Sequence, residues 1–483
     1  MKNHFYTFIT FLTFTFVFIS CKKKEETKEI PITYNKTPNP TVSICDSIWF
    51  PHNQTPPPAE GDGSPFDSIA STNIIFHQWS WQKFLWVTKP LASGKALFEE
   101  QFTQVDNQMI PVEPIDSIAL VLEDTGQAGS AGILASNASF NNDKISDSVY
   151  YSIYTNDILQ KYADSIKVQM LKDTTSLNNK YVFPISSVEL KVSWVKTTAI
   201  PDDQINNYYT SEAYIKTTGE KTKVALLGMH VIGVVKNHPE FIWATFEHSD
   251  IASLYDWTNT TDKDFPVTSP NEKLFFKQGD TATIKDISWN SSSTAVGKNI
   301  FAVYKYGVPR VPGNGFMKTN QKEPENYNNV DSINICVASH LKDVWNNYFY
   351  NGSIWLNTDG MTPDQQAEKL VELGNSIGNV AKDSLLRGST GLSNNTMETY
   401  TQIFNSEIHT TTINNLANCF SCHTAAAKIT LPSSSNNYSS PLYISHIFRS
   451  YLSHSSGITI EEIEKVRLHE FMVLQNMLNN QAE

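Results

Sequence analysis

Apolar and polar positions follow two different periods along this chain, and the change of period divides it. Between Phe66 and Val87, Ile75, Trp79, Gln82 and Trp86 fall three or four residues apart, and Trp81, Phe84 and Leu85 make the stretch apolar almost all round. That spacing predicts a helix sunk in the core. A second helix is predicted over 143–171, with Val149, Ile153, Leu159, Tyr162, Ile166 and Met170 as its apolar positions. The period then drops to two. Val188, Leu190, Val192 and Trp194 alternate with Glu189, Lys191 and Ser193, the pattern of a half-buried strand. Residues 224–235 are apolar nearly throughout, broken only by Gly228, His230 and Gly233, which predicts a strand covered on both faces. With a turn at 236–239 and a further strand over 241–248, an antiparallel sheet module is expected over about residues 180–310, closed by residues 299–306.

From Val330 onward the helical period returns. Ile333, Val337, Leu341, Val344, Trp345 and Tyr348 form one stripe over 331–349. Thr362-Pro363-Asp364-Gln365 combines a capping threonine, a proline at the first helical position and a glutamine three residues after the cap. A Gly/Ser/Asn loop over 387–395 leads into a helix opening at Thr396, and a last helix opens with the capping box Thr459-Ile460-Glu461-Glu462. The expected fold class is α+β: an antiparallel sheet module with flanking helices in a mixed domain over 46–325, then a helical domain over 326–483.

Inside that helical part lies Asn418-Cys419-Phe420-Ser421-Cys422-His423. Two cysteines one helical turn apart, with a histidine directly after the second, form the attachment signature of c-type haem. Each thiol forms a thioether with one vinyl group of the porphyrin, and His423 falls under the iron as its proximal ligand. A zinc site would need a second Cys or His pair nearby, and a redox disulfide would leave His423 without a role. One haem c is therefore expected on Cys419, Cys422 and His423. The sixth iron ligand decides between electron transfer and small-molecule chemistry. Met397, at a loop-helix boundary, is the favoured candidate, with His446, His454, Met472 and Met477 as the others and an iron without a protein sixth ligand as the remaining alternative.

The N-terminus places this chemistry outside the cytoplasm. Lys2 is followed by an apolar run from Phe5 to Ile19 ending in Ser20-Cys21, the pattern of a signal peptide over 1–20. A small residue before a lone cysteine resembles a lipobox, so cleavage before Cys21 and lipid on its thiol are expected, with membrane attachment through that lipid. Residues 21–45 are polar and read as a tether. Five cysteines then divide into Cys21 for lipid, Cys419 and Cys422 for haem, and Cys45 with Cys336 as an even pair, a possible disulfide in an oxidising compartment. The formal net charge of -12 argues against nucleic acid as a partner and suits docking to a basic redox protein. His230, His238, His248, Glu247 and Asp250 invite a metal or catalytic site in the sheet module, although their spacing fits no ligand pattern.

Trp79-Ser80-Trp81-Gln82-Lys83-Phe84, Trp243-Ala244-Thr245-Phe246-Glu247-His248 and Asn395-Thr396-Met397-Glu398-Thr399, together with the haem motif, resemble a group of exported bacterial proteins labelled cytochrome c family or uncharacterised. The Lys22–Glu26 cluster resembles surface-export signals of Bacteroidetes lipoproteins. The resemblance covers about residues 66–450. It implies that Met397 and His248 are worth testing and implies no substrate. The expectation is thus an outer-membrane lipoprotein on its periplasmic or cell-surface side, a mono-haem electron carrier with a redox partner protein. The alternatives are an oxidoreductase with chemistry near His248 and a binding module with structural haem.

Overall fold

In the computed structural model the chain is described over residues 44–483, apart from 124, 126–132, 173–180, 262, 288–294, 297–298, 314, 317–322, 374–384, 399–400, 403–415, 426–438, 464, 466–467 and 469–483. The signal peptide, Cys21 and nearly all of the tether lie outside the described residues, as do Met472 and Met477. Among the described residues, no helix is long and apolar enough to cross a membrane.

A nine-stranded sheet organises the molecule. Its strands are β1 (Thr103–Val105), β2 (Leu120–Leu122), β3 (Tyr150–Thr155), β4 (Val188–Lys196), β5 (Thr210–Ile215), β6 (Glu220–Val235), β7 (His238–His248), β8 (Tyr348–Leu356) and β9 (Leu386–Gly388). The main path runs β1-β3-β4-β6-β7-β8-β9, every pair antiparallel. The 16-residue β6 is long enough to pair β5 with its first half and β7 with its second, and β2 joins β5 in parallel. β6 and β7 meet at a two-residue turn, Val235 opposite His238, with Asn237 in the left-handed region (φ 65°) that asparagine tolerates.

Alternation along the strands gives the sheet two unlike faces. One presents Leu190, Val192 and Trp194 from β4, Met229 and Val231 from β6, Ala244 and Phe246 from β7 and Tyr350 from β8. Packed on it are α1 (Asn73–Thr88), through Phe76, Trp79, Trp81 and Phe84, and α3 (Glu323–His340), through Val330, Ile333 and Val337. The Phe84 and Phe246 rings stack at 3.9 Å. Cys45 and Cys336 are joined in a disulfide on this side, with 6.0 Å between their Cα atoms.

The opposite face carries two separate apolar clusters. Tyr151, Val195, Ala225 and Leu227 belong to the first, with Tyr304, Met397 and Leu416. Ile153, Ile232, Trp243 and Ile354 belong to the second, with residues of α2 (Asp157–Lys172), Leu370 of α4 (Pro363–Leu373), Phe420, and Ile447 and Phe448 of α6 (His446–Ser455). Between them, the strands turn polar side chains toward the same face.

Several sequence expectations need correction. Residues 150–155 form a strand in place of the first half of the expected helix, and α2 begins only at Asp157. Six consecutive buried residues, five of them aromatic or β-branched, favour a pleated surface covered on both sides over a helical stripe. The predicted helix over 331–349 ends at His340. Asp343 caps a short turn, accepting from Trp345 N–H, and the chain then enters β8. Phe301–Ala302 does not close the sheet but pairs Ser253–Leu254 in a small sheet of its own. With β8 and β9 at one end of its main path, the sheet draws on the segment expected to be a separate helical domain. Trp79 and Trp345 share one apolar cluster, and Ile153 and Phe448 another.

Candidate functional site

Asn418 starts α5 (Cys419–Cys422), its side chain accepting from Phe420 N–H at 3.0 Å while the Ser421 hydroxyl accepts from Asn418 N–H at 3.1 Å. This reciprocal cap defines a single turn that holds Cys419 and Cys422 at its two ends. Both are thiols, and both are partly exposed although Ala417, Asn418, Phe420 and Ser421 around them are buried. Burial, with smaller contributions from Glu398 and Cys422, keeps the Cys419 thiol well above the usual range, so it stays protonated at neutral pH.

His423 leaves the turn with its ring oriented from three sides. Nδ1 lies 2.9 Å from the Ile444 carbonyl, which can only accept, so Nδ1 carries the proton and Nε2 the lone pair. Burial pushes the ring down to about 4, which keeps that lone pair available at neutral pH. Trp243 packs at 4.3 Å between ring centroids, and His446 stacks nearly parallel at 4.0 Å, donating from Nε2 to the Cys422 carbonyl. An imidazole stacked face to face on His423 cannot occupy the opposite face of a metal that His423 ligates, so His446 is not placed as a sixth ligand. His454 is exposed.

Beside the motif lies the polar strip of the sheet: Lys191 and Ser193 from β4, Gly228 and His230 from β6, Thr245 and Glu247 from β7. The segment 394–398 is laid across it. Asn394 donates to Thr245 Oγ1 at 2.7 Å and to the Phe246 carbonyl at 3.1 Å, and its own Oδ1 caps Thr396 N–H. Asn395 binds Glu247 through N–H and side chain, and Thr396 Oγ1 lies 2.7 Å from Ser193 Oγ. The approach is close enough that a Cβ at position 228 would stand 2.7 Å from Thr396 Oγ1, which is why β6 carries glycine there. Glu398 completes the seam, 2.6 Å from His230 Nε2, while His230 Nδ1 lies 2.9 Å from Thr245 Oγ1. Burial alone would raise the Glu398 carboxyl, but its contact with His230, the Lys191 charge and Asn394 N–H outweigh that and hold it below its ordinary value.

Lys191, His230, Glu398, Cys419, Cys422, His423 and His446 are all partly exposed within this otherwise buried layer. They lie where the sheet meets the C-terminal helices, Glu398 against His230 and His446 against the Cys422 carbonyl. Two thiols a helical turn apart and an imidazole with its Nδ1 tied to a carbonyl, with Trp243 packed against it, are the donor set that c-type haem takes.

Met397 does not join them. Only 1% exposed, it packs in the first apolar cluster while Cys419 and Phe420 belong to the second, and it is the next residue, Glu398, that faces the motif. The histidines of the sheet do not converge either. His238 pairs with Glu240 at 2.9 Å against the Phe76 ring, whereas His248 stacks on Tyr208 and donates to the Asn207 carbonyl. Both His248 nitrogens are engaged, the second accepting from Asp250 N–H. Among the described residues, the one Cys/His/Asp/Glu trio near enough to share a metal is Cys45, Cys336 and His340, two of which form the disulfide.

Sequence reasoning missed the His230–Glu398 pair, whose members are 168 residues apart. Glu247, named from sequence only as a candidate ligand, and Glu189, read as a polar position of a half-buried strand, are both buried carboxyls. Burial pushes Glu247 up to about 7 against hydrogen bonds from Asn351 and Asn395, and Glu189 up to about 7 against Ser445 and Lys191. Between the ordinary value of 4.5 and about 7, the folded state keeps protons that the unfolded chain releases, so these groups make stability fall as pH rises through that window. In urea unfolding at pH 5 and pH 8, Glu247→Gln is expected to lose less stability than the wild type on going to pH 8, by roughly 1–3 kcal/mol. Equal pH slopes would show that Glu247 is not protonated in the folded protein.

No family model, curated protein sequence or solved structure matches the chain.

Proposed function

We propose that the chain is an exported mono-haem c-type cytochrome, anchored to the outer membrane by lipid on Cys21 and carrying electrons to or from a partner protein. The observation that carries this reading is the pairing of two thiols on one capped turn with His423, whose Nδ1 is committed to the Ile444 carbonyl and whose Nε2 is left for iron. Cys419 and Cys422 would hold the haem covalently, and His423 would ligate the iron. Bound there, haem supplies a one-electron ferric/ferrous couple. Trp243, Phe420 and Ile444 would give the haem apolar surroundings, and the Lys191, His230 and Glu398 cluster would set the charge beside it, two of the means by which a protein tunes a haem potential. The helical layer that holds the haem rests on the sheet. The acidic overall charge suits docking to a basic redox partner.

Expression in a host that matures c-type cytochromes tests the proposal. The protein is expected to retain one haem per chain through acidified organic solvent and to cycle reversibly between ferric and ferrous spectra; colourless protein would overturn it. Met397 must leave its apolar cluster to serve as sixth ligand. A thioether-to-ferric charge-transfer band that is lost in Met397→Ala and kept in Met472→Ala would show that it does so.

A further inference from the structure

We propose that Cys45, Cys336 and His340 form a site for a thiolate-preferring d10 cation such as Zn2+, closed to metal while the disulfide stands and opened when it is reduced. The site packs with the α1 and α3 cluster, away from Cys419 and Cys422, and does not rest on the haem assignment above.

Half of the site is written in the sequence. Cys336 and His340 stand four residues apart in the last turn of α3, a spacing at which a helix presents two ligands to one zinc from the same face. Cys45 comes to them from the N-terminal segment, 291 residues away. One ligand atom from each of the three lies within 4.8 Å of the other two, and Cys45 Sγ is 4.0 Å from His340 Nδ1. Around a tetrahedral zinc a sulfur and a nitrogen stand roughly 3.6 Å apart and two sulfurs roughly 3.8 Å, so only the bonded sulfurs have to part. With 6.0 Å between the two Cα atoms, turning the side chains provides that separation.

The imidazole is already oriented. Phe50, from the same segment as Cys45, stacks on its ring at 5.1 Å and 20°. Nδ1 donates to the Cys336 carbonyl at 2.9 Å, and the Ser339 hydroxyl donates to the same carbonyl at 2.7 Å. That carbonyl therefore keeps a donor when Nδ1 turns to a metal and the proton moves to Nε2. Cys45 is 3% exposed, whereas Cys336 is partly exposed and His340 is open to solvent. A dithiol reductant thus meets Cys336 first: its thiolate attacks Cys336 Sγ, the S–S bond breaks, and Cys45 leaves as a thiolate. The second thiol of the reductant then displaces Cys336 and departs within a new disulfide, two electrons and two protons having passed to the protein. Zn2+ replaces those two protons, with His340 Nδ1 as third ligand and water as fourth. Two thiolates and an imidazole favour such an ion over Mg2+ or Ca2+.

Zinc binding to the mature full-length protein tests the proposal, measured by equilibrium dialysis in the wild type, Cys45→Ser and His340→Ala, with and without a phosphine reductant. The reduced wild type is expected to hold one Zn2+ more per chain than the oxidised wild type and than reduced Cys45→Ser, and excess Mg2+ should not displace it. His340→Ala keeps the disulfide while the protein is made; once reduced, it should bind the added zinc roughly tenfold more weakly or worse. Equal zinc in oxidised and reduced wild type overturns the proposal. Unchanged affinity in His340→Ala also overturns it, because the metal would then rest on thiols alone. Should Cys45→Ser fail to fold, these last two comparisons decide the matter without it.

Discussion

Replacing both Cys419 and Cys422 with alanine is expected to abolish covalent haem, leaving protein that loses all pigment to acidified organic solvent. Either single replacement should retain haem through one thioether. The two thiols stand at opposite ends of one turn set by Asn418 and Ser421, so each would meet a different vinyl group, and the loss of one would leave the other in place. Because His423 is oriented by Ile444, Trp243 and His446 and not by the cysteines, the double variant should still bind added haem non-covalently with an imidazole-ligated spectrum. Pigment that survives extraction in the double variant would show that attachment occurs elsewhere.

The second large effect belongs to the opposite face of the sheet. The Cys45–Cys336 disulfide closes a loop across 291 residues, and by the chain-entropy estimate such a crosslink stabilises the fold by roughly 5–6 kcal/mol. Cys336→Ser, or the wild type held reduced, should unfold at clearly lower urea concentration by about that free energy. Haem content should be unchanged, since Cys45 packs with Trp49 and Trp81 beneath α1, on the face away from the motif. A loss below about 1 kcal/mol would mean that the unfolded chain is already restrained without the bond.

Elements with a strict local period were legible in the sequence. The alternation over 188–196, the apolar run to Val235, the strand through Trp243 and the Thr362 cap all have their counterparts in β4, β6, β7 and α4. Tyr150–Thr155 and Tyr348–Leu356 were not, because a strand buried on both faces shows no alternation and its apolar residues also satisfy a spacing of three or four. The thiols and His423 stand in one short stretch of sequence. The rest of the site does not: His230 appeared only as a polar interruption in an apolar run, and nothing local to it names Glu398 as the partner. Where β-pairing brings together residues so far apart in the chain, the sequence shows that a polar residue needs a partner and not which residue supplies it.

The place of β8 between β7 and β9 has a practical consequence for anyone seeking a minimal piece of this protein that keeps Cys419, Cys422 and His423. A fragment beginning at residue 326 would keep both thiols and the imidazole but lose Trp243, Lys191 and the whole surface on which they rest. Its β8 would become a raw edge of aromatic and apolar side chains with unpaired backbone amides, an invitation to intermolecular strand pairing and precipitation.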